Sequence, residues 1–331
     1  MRAIKDPPPT PDLYPFIFFL ALTAFPCLLN AMGLCGILKT DPALLISGLG
    51  HIMKKGFNGG WPTLETGGAG QAITRVVVGE LARGRFMWWN HDMGLGTPMI
   101  ESPWTAPFFP PSWLLLLPHG TLLLGIFLQL ISGLGTYFLL RRINIGRWAA
   151  LAGGILYESN GTFAWLSGPA VNPIPFLPWL LLGLEKAKLA AQKNERGGWF
   201  LASGSLALSL YAGFPQIAYL NGLLVAAWGA LRFAQCAPEV RTAFARKVVW
   251  GTFVGLLVAA PSISLFLNYM PYAYLDLHGQ SLGYSNFTIP PVYFAQLVLP
   301  YLAGPLSFWG QTLLAPILTF NPTEGYAPKG A

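Results

Sequence analysis

One stretch of the chain gathers most of the residue types that do chemistry. Between residues 39 and 112 stand five acids, Asp41, Glu65, Glu80, Asp92 and Glu101, and three arginines, Arg75, Arg83 and Arg85. A carboxylate can take a proton from an attacking hydroxyl as general base. A guanidinium can hold a phosphate through two parallel hydrogen bonds. The same stretch contains "RFMWWNHDMGLGTPM", residues 85–99, which sets Trp88, Trp89, Asn90, His91 and Asp92 beside Gly94 and Gly96. Each of these residues also has a plainer use. The arginines suit anionic lipid at a membrane surface as well as a bound phosphate. Tryptophans anchor proteins at membrane–water boundaries, and Asp92 suits a turn. His91 and Asp92 are two adjacent metal ligands without a third, so no metal site follows from the spacing and a divalent cation stays open as a cofactor.

The elements that position this stretch are those of a membrane protein. Of 331 residues, 53% are hydrophobic and only 10% charged. Soluble domains carry about 25% charged residues, so this chain cannot cover a water-facing surface and its class is all-α integral membrane. The net charge of +7 does not point to nucleic acid, because Lys and Arg fall in small groups between apolar runs rather than on one face. Cys27, Cys35 and Cys236 have neither metal spacing nor a disulfide framework and read as small buried hydrophobes.

Charges mark the divisions. Residues 1–12 form a polar N-terminal tail, and 13–38 is a first transmembrane helix, too long for a signal-peptide core of about 7–15 residues. Residues 39–116 form a large loop that ends in "PWTAPFFPPSW", too proline-rich for a helix and placed in the interface. Residues 117–267 hold transmembrane helices two to seven, with spans expected at about 117–140, 148–167, up to 185, two within 197–231, and 248–267. As one helix, Gly197–Leu231 would be ~52 Å long against a hydrocarbon core of ~30 Å. Both its flanks are basic, so it reads as a hairpin bent at "GFP", residues 213–215. Residues 268–331 are a polar aromatic segment with a further candidate span between 292 and 319, broken by Pro305 and Pro316, which reads as the truncated start of a longer membrane protein.

With the N-terminus cytoplasmic, 13 of the 20 Lys and Arg fall in cytoplasmic segments, and six of the rest sit in the 39–112 loop. That loop exceeds the ~60 residues over which basic residues set orientation. The expectation is a multi-pass cell-membrane protein of about seven to eight helices with a large extracytoplasmic first loop. Within the loop, "GQAITRVVVGELARGR" has a helical period that puts Ile73, Val76, Val77 and Leu81 on one face, suited to lying flat on the membrane. Glu158 falls within the third span, and an ionisable group inside a membrane is a functional candidate by default. Neighbouring Ser159, Asn160 and Thr162 suggest a substrate cavity there. Gln216, just past the GFP bend, could meet a sugar or satisfy the broken helix's backbone.

Residues 79–220 resemble the N-terminal half of the YfhO-like family of bacterial membrane proteins. The resemblance is carried by "GRFMWWNHDMGLGTPM", "APFFPPSWLLLLP", "NGTFAWLSGPAVNPIPFLPWLLLGLE" and "LYAGFPQIAYL". Met87 and His91 depart from the family pattern, which has Pro at both places. The family resembles the GT-C glycosyltransferases, which implies a module of about seven helices with a catalytic carboxylate in the first loop. It also implies a polyprenyl-phosphate sugar donor, and a cell-envelope glycan, teichoic acid or lipid as acceptor. By that likeness Glu65 is the first choice as base, since it precedes Gln71 and Trp88 in the family's order, with Glu where the family has Asp. Asp41, just past the first span, and Asp92 are the other candidates. Arg75, Arg83, Arg85, Trp89, Asn90, Glu158 and Gln216 are candidates for substrate binding. The alternative class is a transporter or non-enzymatic envelope protein whose pathway runs past Glu158 and the broken helices.

Overall fold

The computed structural model describes residues 13–31, 70–91, 96–118, 120–158 and 171–272, without the side chains of 23–31, 121 and 122. Asp41, Glu65, Asp92, Gly94 and the candidate span at 292–319 lie outside the described residues. The chain divides into two compact units, Met1–Tyr269 and Met270–Ala331. The second is described only over the 3₁₀ turn Met270–Tyr272.

The first unit is mostly helical. In chain order its helices are α1 (Leu13–Ala31), α2 (Gln71–Ala82), α3 (Gly120–Arg142), α4 (Arg147–Glu158), α5 (Phe176–Gln192), α6 (Phe200–Tyr211), α7 (Pro215–Ala234) and α8 (Pro238–Tyr269). Among the described residues three stretches are long and apolar enough to cross a membrane: Leu123–Arg142 of α3, α7 and α8. Tyr219, Leu220, Leu223 and Leu224 of α7 and Val249, Phe253, Leu256 and Leu257 of α8 stand exposed. Apolar area of that extent on adjacent turns suits lipid, not water.

The expected division of 197–231 into two helices with a break at 213–215 is present. α6 ends at Tyr211, Gly213 takes φ +91°, and α7 starts on Pro215, whose missing N–H costs nothing in a first helical turn. α6 is short, however. Twelve residues rise about 18 Å, well under the ~30 Å hydrocarbon core. Where Gln216 was a candidate to satisfy the broken backbone, Asn172 does so instead, its Nδ2 donating to the Ala212 carbonyl at 3.1 Å. Asn221 Nδ2 in turn donates to the Pro173 carbonyl at 3.0 Å, tying α7 to the turn before α5. α8 starts ten residues before the expected Val248, so Arg241, Arg246 and Lys247 ride on a helix that extends beyond its apolar part.

Two clusters of polar contacts distinguish the bundle's ends. At one end Arg141 and Arg142 close α3, and the Arg147 guanidinium stacks 3.7 Å from the centre of the Tyr14 ring. Tyr14 and Tyr137 are joined there hydroxyl to hydroxyl. On the same side Lys247 Nζ donates to the Glu195 and Gly197 carbonyls, which fixes the α5–α6 turn against α8. Arg232 of α7 pairs with the buried Glu185 carboxylate of α5, which also accepts from Trp228 Nε1 at 2.8 Å. The pair is largely shielded from water, so its charges compensate each other where neither could stand alone.

The other end is capped by residues 70–118. The proline-rich run forms two 3₁₀ segments, Pro103–Thr105 and Pro110–Leu116, in keeping with its unsuitability for an α-helix. Phe109 and Leu115 are buried with Leu124, Leu128, Phe176 and Ala212, so the cap shares one apolar core with the bundle. α2 lies on these 3₁₀ segments and buries Thr74, Val77 and Val78. Of the expected apolar face Val77 turns inward and Val76 is 49% exposed, while Thr74 is inside, its Oγ1 bonded back to the Gly70 carbonyl. The hydroxyl satisfies itself on its own helix, so a nominally polar position can sit in the core.

The α6–α7 bend is where the cap docks. A β-carbon on Gly213 would meet the Pro103 carbonyl oxygen at 2.7 Å and the Ala106 side chain at 2.8 Å. Gly213→Val is expected to destabilise the detergent-solubilised protein by at least about 1–2 kcal/mol, from the left-handed backbone alone, and to speed proteolysis within 96–118. Gly222→Ala, on open helix surface, is expected to leave both unchanged. Thermal unfolding and limited proteolysis of the two variants check this.

Candidate functional site

The motif of residues 85–99 folds into a short hairpin. β1 (Trp89–Asn90) pairs antiparallel with β2 (Thr97–Pro98), with Trp89 opposite Pro98 and Asn90 opposite Thr97. Two further bonds continue the ladder, Met99 N–H to the Trp88 carbonyl at 3.0 Å and Ile100 N–H to the Met87 carbonyl at 3.2 Å. Met99 and Ile100 are buried and seat the hairpin on the cap. Gly96 takes φ +100°, and the Trp89 indole lies where its β-carbon would be. Gly96 therefore serves the turn and the close approach of one ring, not an approach to a ligand.

Asn90 is buried within the hairpin. Trp88 is 56% exposed and stacks on the exposed Phe86 with ring centres 6.1 Å apart. Trp89, Trp104 and Trp113 are also exposed at this end, and Trp104 packs beside Phe214 of the bend, ring centres 5.8 Å apart. The result is a row of flat apolar faces with polar N–H tips around the capped end. Such faces can meet the lipid interface or the C–H face of a sugar ring.

The arginines do not act alike. Arg83 Nη1 donates to Glu80 Oε1 at 2.6 Å, and Arg85 donates to both Glu80 oxygens, at 2.6 and 3.0 Å. The hydrogen bonds from Arg85 and Arg83 hold the Glu80 carboxyl down at about 2, well below the ordinary carboxylate range, and raise Arg85 in return. One carboxylate between two guanidinium groups leaves one positive charge in the cluster and occupies Arg83 Nη1 and Arg85 Nε and Nη2, part of the donors that a phosphate would use. Arg75 stands on the exposed side of α2, apart from this cluster. Among the described residues it is the arginine of the three best placed to meet an anion.

The cap and the bundle share further polar residues. Asn268, near the end of α8, donates through Nδ2 to Glu101 Oε1 at 2.6 Å. Gln216 is exposed on the first turn of α7, next to Phe214 and so close to Trp104. The structure thereby brings Trp89, Asn90, Arg75, Arg83, Arg85 and Gln216 to one capped end. Glu158 does not join them. It lies inside the bundle, 2% exposed, with no hydrogen-bond partner for either oxygen among the described residues. Its carboxylate fits against Gly133 of α3 and Phe19 of α1 so closely that a methyl on Gly133 would collide with both. On that side the carboxyl is packed against α3, and Ser159, Asn160 and Thr162, the other residues of the expected substrate cavity, lie outside the described residues. No group of three or more His, Cys, Asp or Glu gathers among the described residues.

The sequence held one overlooked signal. Glu80 and Arg83 are three apart on a helix, the spacing at which side chains meet. The Glu101–Asn268 bond spans 167 residues and leaves no local trace. No protein-family model, curated protein or solved structure matches the chain. The likeness to the YfhO-like family therefore rests on the motifs alone.

Because Glu80 is held low, its ion pairs are present above the ordinary carboxylate range and are lost only as pH falls through about 2. The double substitution Arg83→Gln, Arg85→Gln is expected to return the Glu80 titration to the ordinary carboxylate range. Site-specific isotope-edited infrared titration of Glu80 reads the shift.

Proposed function

We propose that this chain is a membrane glycosyltransferase module. In this reading it moves a sugar from a polyprenyl-phosphate carrier to a cell-envelope acceptor at the outer membrane face. The supporting observation is the docking of the aromatic and arginine-bearing cap onto one end of an apolar helix bundle. A lipid-linked donor requires such an arrangement: its prenyl chain stays in the bilayer while its phosphate and sugar sit at the interface. The motif resemblance to the YfhO-like family, and through it to the GT-C enzymes, supports the same reading. We read the described helices as part of a seven- to eight-span module with the N-terminus cytoplasmic. The start of α1 lying beside Arg147 and the end of α3 agrees with that orientation.

In this mechanism Glu65 is the base, with Asp41 and Asp92 as the other loop acids. The carboxylate takes the acceptor hydroxyl's proton as that oxygen bonds to the anomeric carbon. The carbon–oxygen bond to phosphate breaks, and the polyprenyl phosphate leaves with the bonding pair. Arg75 receives the phosphate charge, with Arg83 and Arg85 contributing through the donors Glu80 leaves open. Trp88 and Phe86 offer a stacked face to a sugar ring.

Membranes containing the wild-type chain are expected to consume a polyprenyl-phosphate sugar, and Glu65→Gln to lower the rate by ~10² or more, the usual share of a general base. Equal rates would remove Glu65 as base. No consumption by wild type across a panel of sugars would remove the function.

A further inference from the structure

We propose that Glu158 is a proton-binding site inside the bundle, exchanging its proton with the basic end past the Tyr14–Tyr137 hydroxyl pair. Its position comes first. Glu158 closes α4, about 17 Å of helix beyond Arg147, which is roughly the middle of a ~30 Å core. From the other direction, Gly133 lies about 14 Å of helix before Arg142. The carboxyl thus sits at mid-depth, 2% exposed, where α3 at Gly133 and Phe19 of α1 close over it.

Its chemistry follows from what surrounds it. Leu130, Leu134, Ala150 and Leu151 make up the adjoining core. An unpaired carboxylate in such surroundings is costly, and the neutral acid far less so. A metal ion is a poor occupant, since hard cations need six or more oxygen ligands and none of the described neighbours offers one to this carboxyl. On the α3 side a polar solute has no room, because the carboxylate already lies against the backbone at Gly133. Among the described residues the surroundings suit a proton and no larger cation.

The route is built from the same helices. Tyr137 follows Gly133 by one helical turn on the same face of α3. Its hydroxyl meets that of Tyr14, over whose ring Arg147 stands at the aqueous end. A hydroxyl both donates and accepts, so the pair can pass a proton. The other titratable groups on the three helices are Cys27 of α1, Arg141 and Arg142 of α3, and Tyr157 of α4, whose hydroxyl donates to the Ile174 carbonyl. On α5, Glu185 is engaged by Arg232 and Trp228. No second carboxylate among the described residues of these helices competes for the proton. The inference needs no sugar donor and stands apart from the glycosyltransferase reading. It also supplies what the transporter alternative would require.

The test is infrared difference spectroscopy of the full chain in lipid vesicles during pH steps. Wild type is expected to show the carbonyl band of a protonated acid in an apolar site, fading as pH rises. Glu158→Gln is expected to lack it, and Glu158→Asp to keep a shifted band, which separates loss of the acid from loss of folding. Tyr137→Phe is expected to keep the band but slow its response several-fold. A hydrophobic carbodiimide, which adds only to the protonated acid, is expected to label Glu158 at low pH, and a water-soluble one is not. Absence of the band, a band indifferent to pH, an unchanged rate in Tyr137→Phe, or equal labelling by both reagents would overturn the proposal.

Discussion

Lipid offers no partner to a polar group, and the arrangement of this chain follows from that. Each backbone break and each charge near the bundle must find its partner within the protein or move to an end. Arg141, Arg142 and Lys247 stand at one end, where the last two turns of α3 and the first turns of α8 reach water. Glu185 remains buried because Arg232 and Trp228 meet it. The break between α6 and α7 is tolerable because Asn172 takes the Ala212 carbonyl and because Gly213 leaves room for the cap. Against this pattern Glu158 is the exception, and an exception to so costly a rule is informative.

The same constraint explains how much of the fold was legible in the sequence. Apolar runs bounded by charge placed α3 and the break between α6 and α7 close to where they lie, because burial in lipid writes itself into composition. The bend at residues 213–215 was legible from length against bilayer thickness. The inner face of α2 was not. Its period fitted a stripe through Ile73, Val76, Val77 and Leu81, yet Thr74 went inside and Val76 outside. A threonine that bonds its own helix behaves as an apolar residue, and no hydropathy scale records that. The length of α8 was hidden for a related reason: its first turns carry Glu239, Arg241, Arg246 and Lys247, yet they bury Phe244 and pack Val240 and Ala243 against Ala187 and Ala191 of α5.

Among the site residues, type was legible and partnership was not. The arginines were evident as anion binders, but Glu80 holds two of them. The need for glycine at 96 comes from the Trp89 ring, which lies where a β-carbon would be. The cap and Glu158 then divide the molecule's chemistry by depth. Aromatic and guanidinium groups lie at the capped end of the bundle. A single acid lies where only a proton can be accommodated. Nothing about the first requires the second, so the two can be examined separately.

The orientation of the capped end decides whether its chemistry faces the cell envelope. In a background with Cys27, Cys35 and Cys236 replaced, single cysteines at Arg75 on α2 and at Lys188 on α5 can be labelled in intact cells with a membrane-impermeant maleimide. The expected result is labelling at position 75 from outside and at position 188 only after the membrane is opened. Labelling at 188 from outside, with 75 protected until the membrane is opened, would contradict an extracytoplasmic cap and the function built on it.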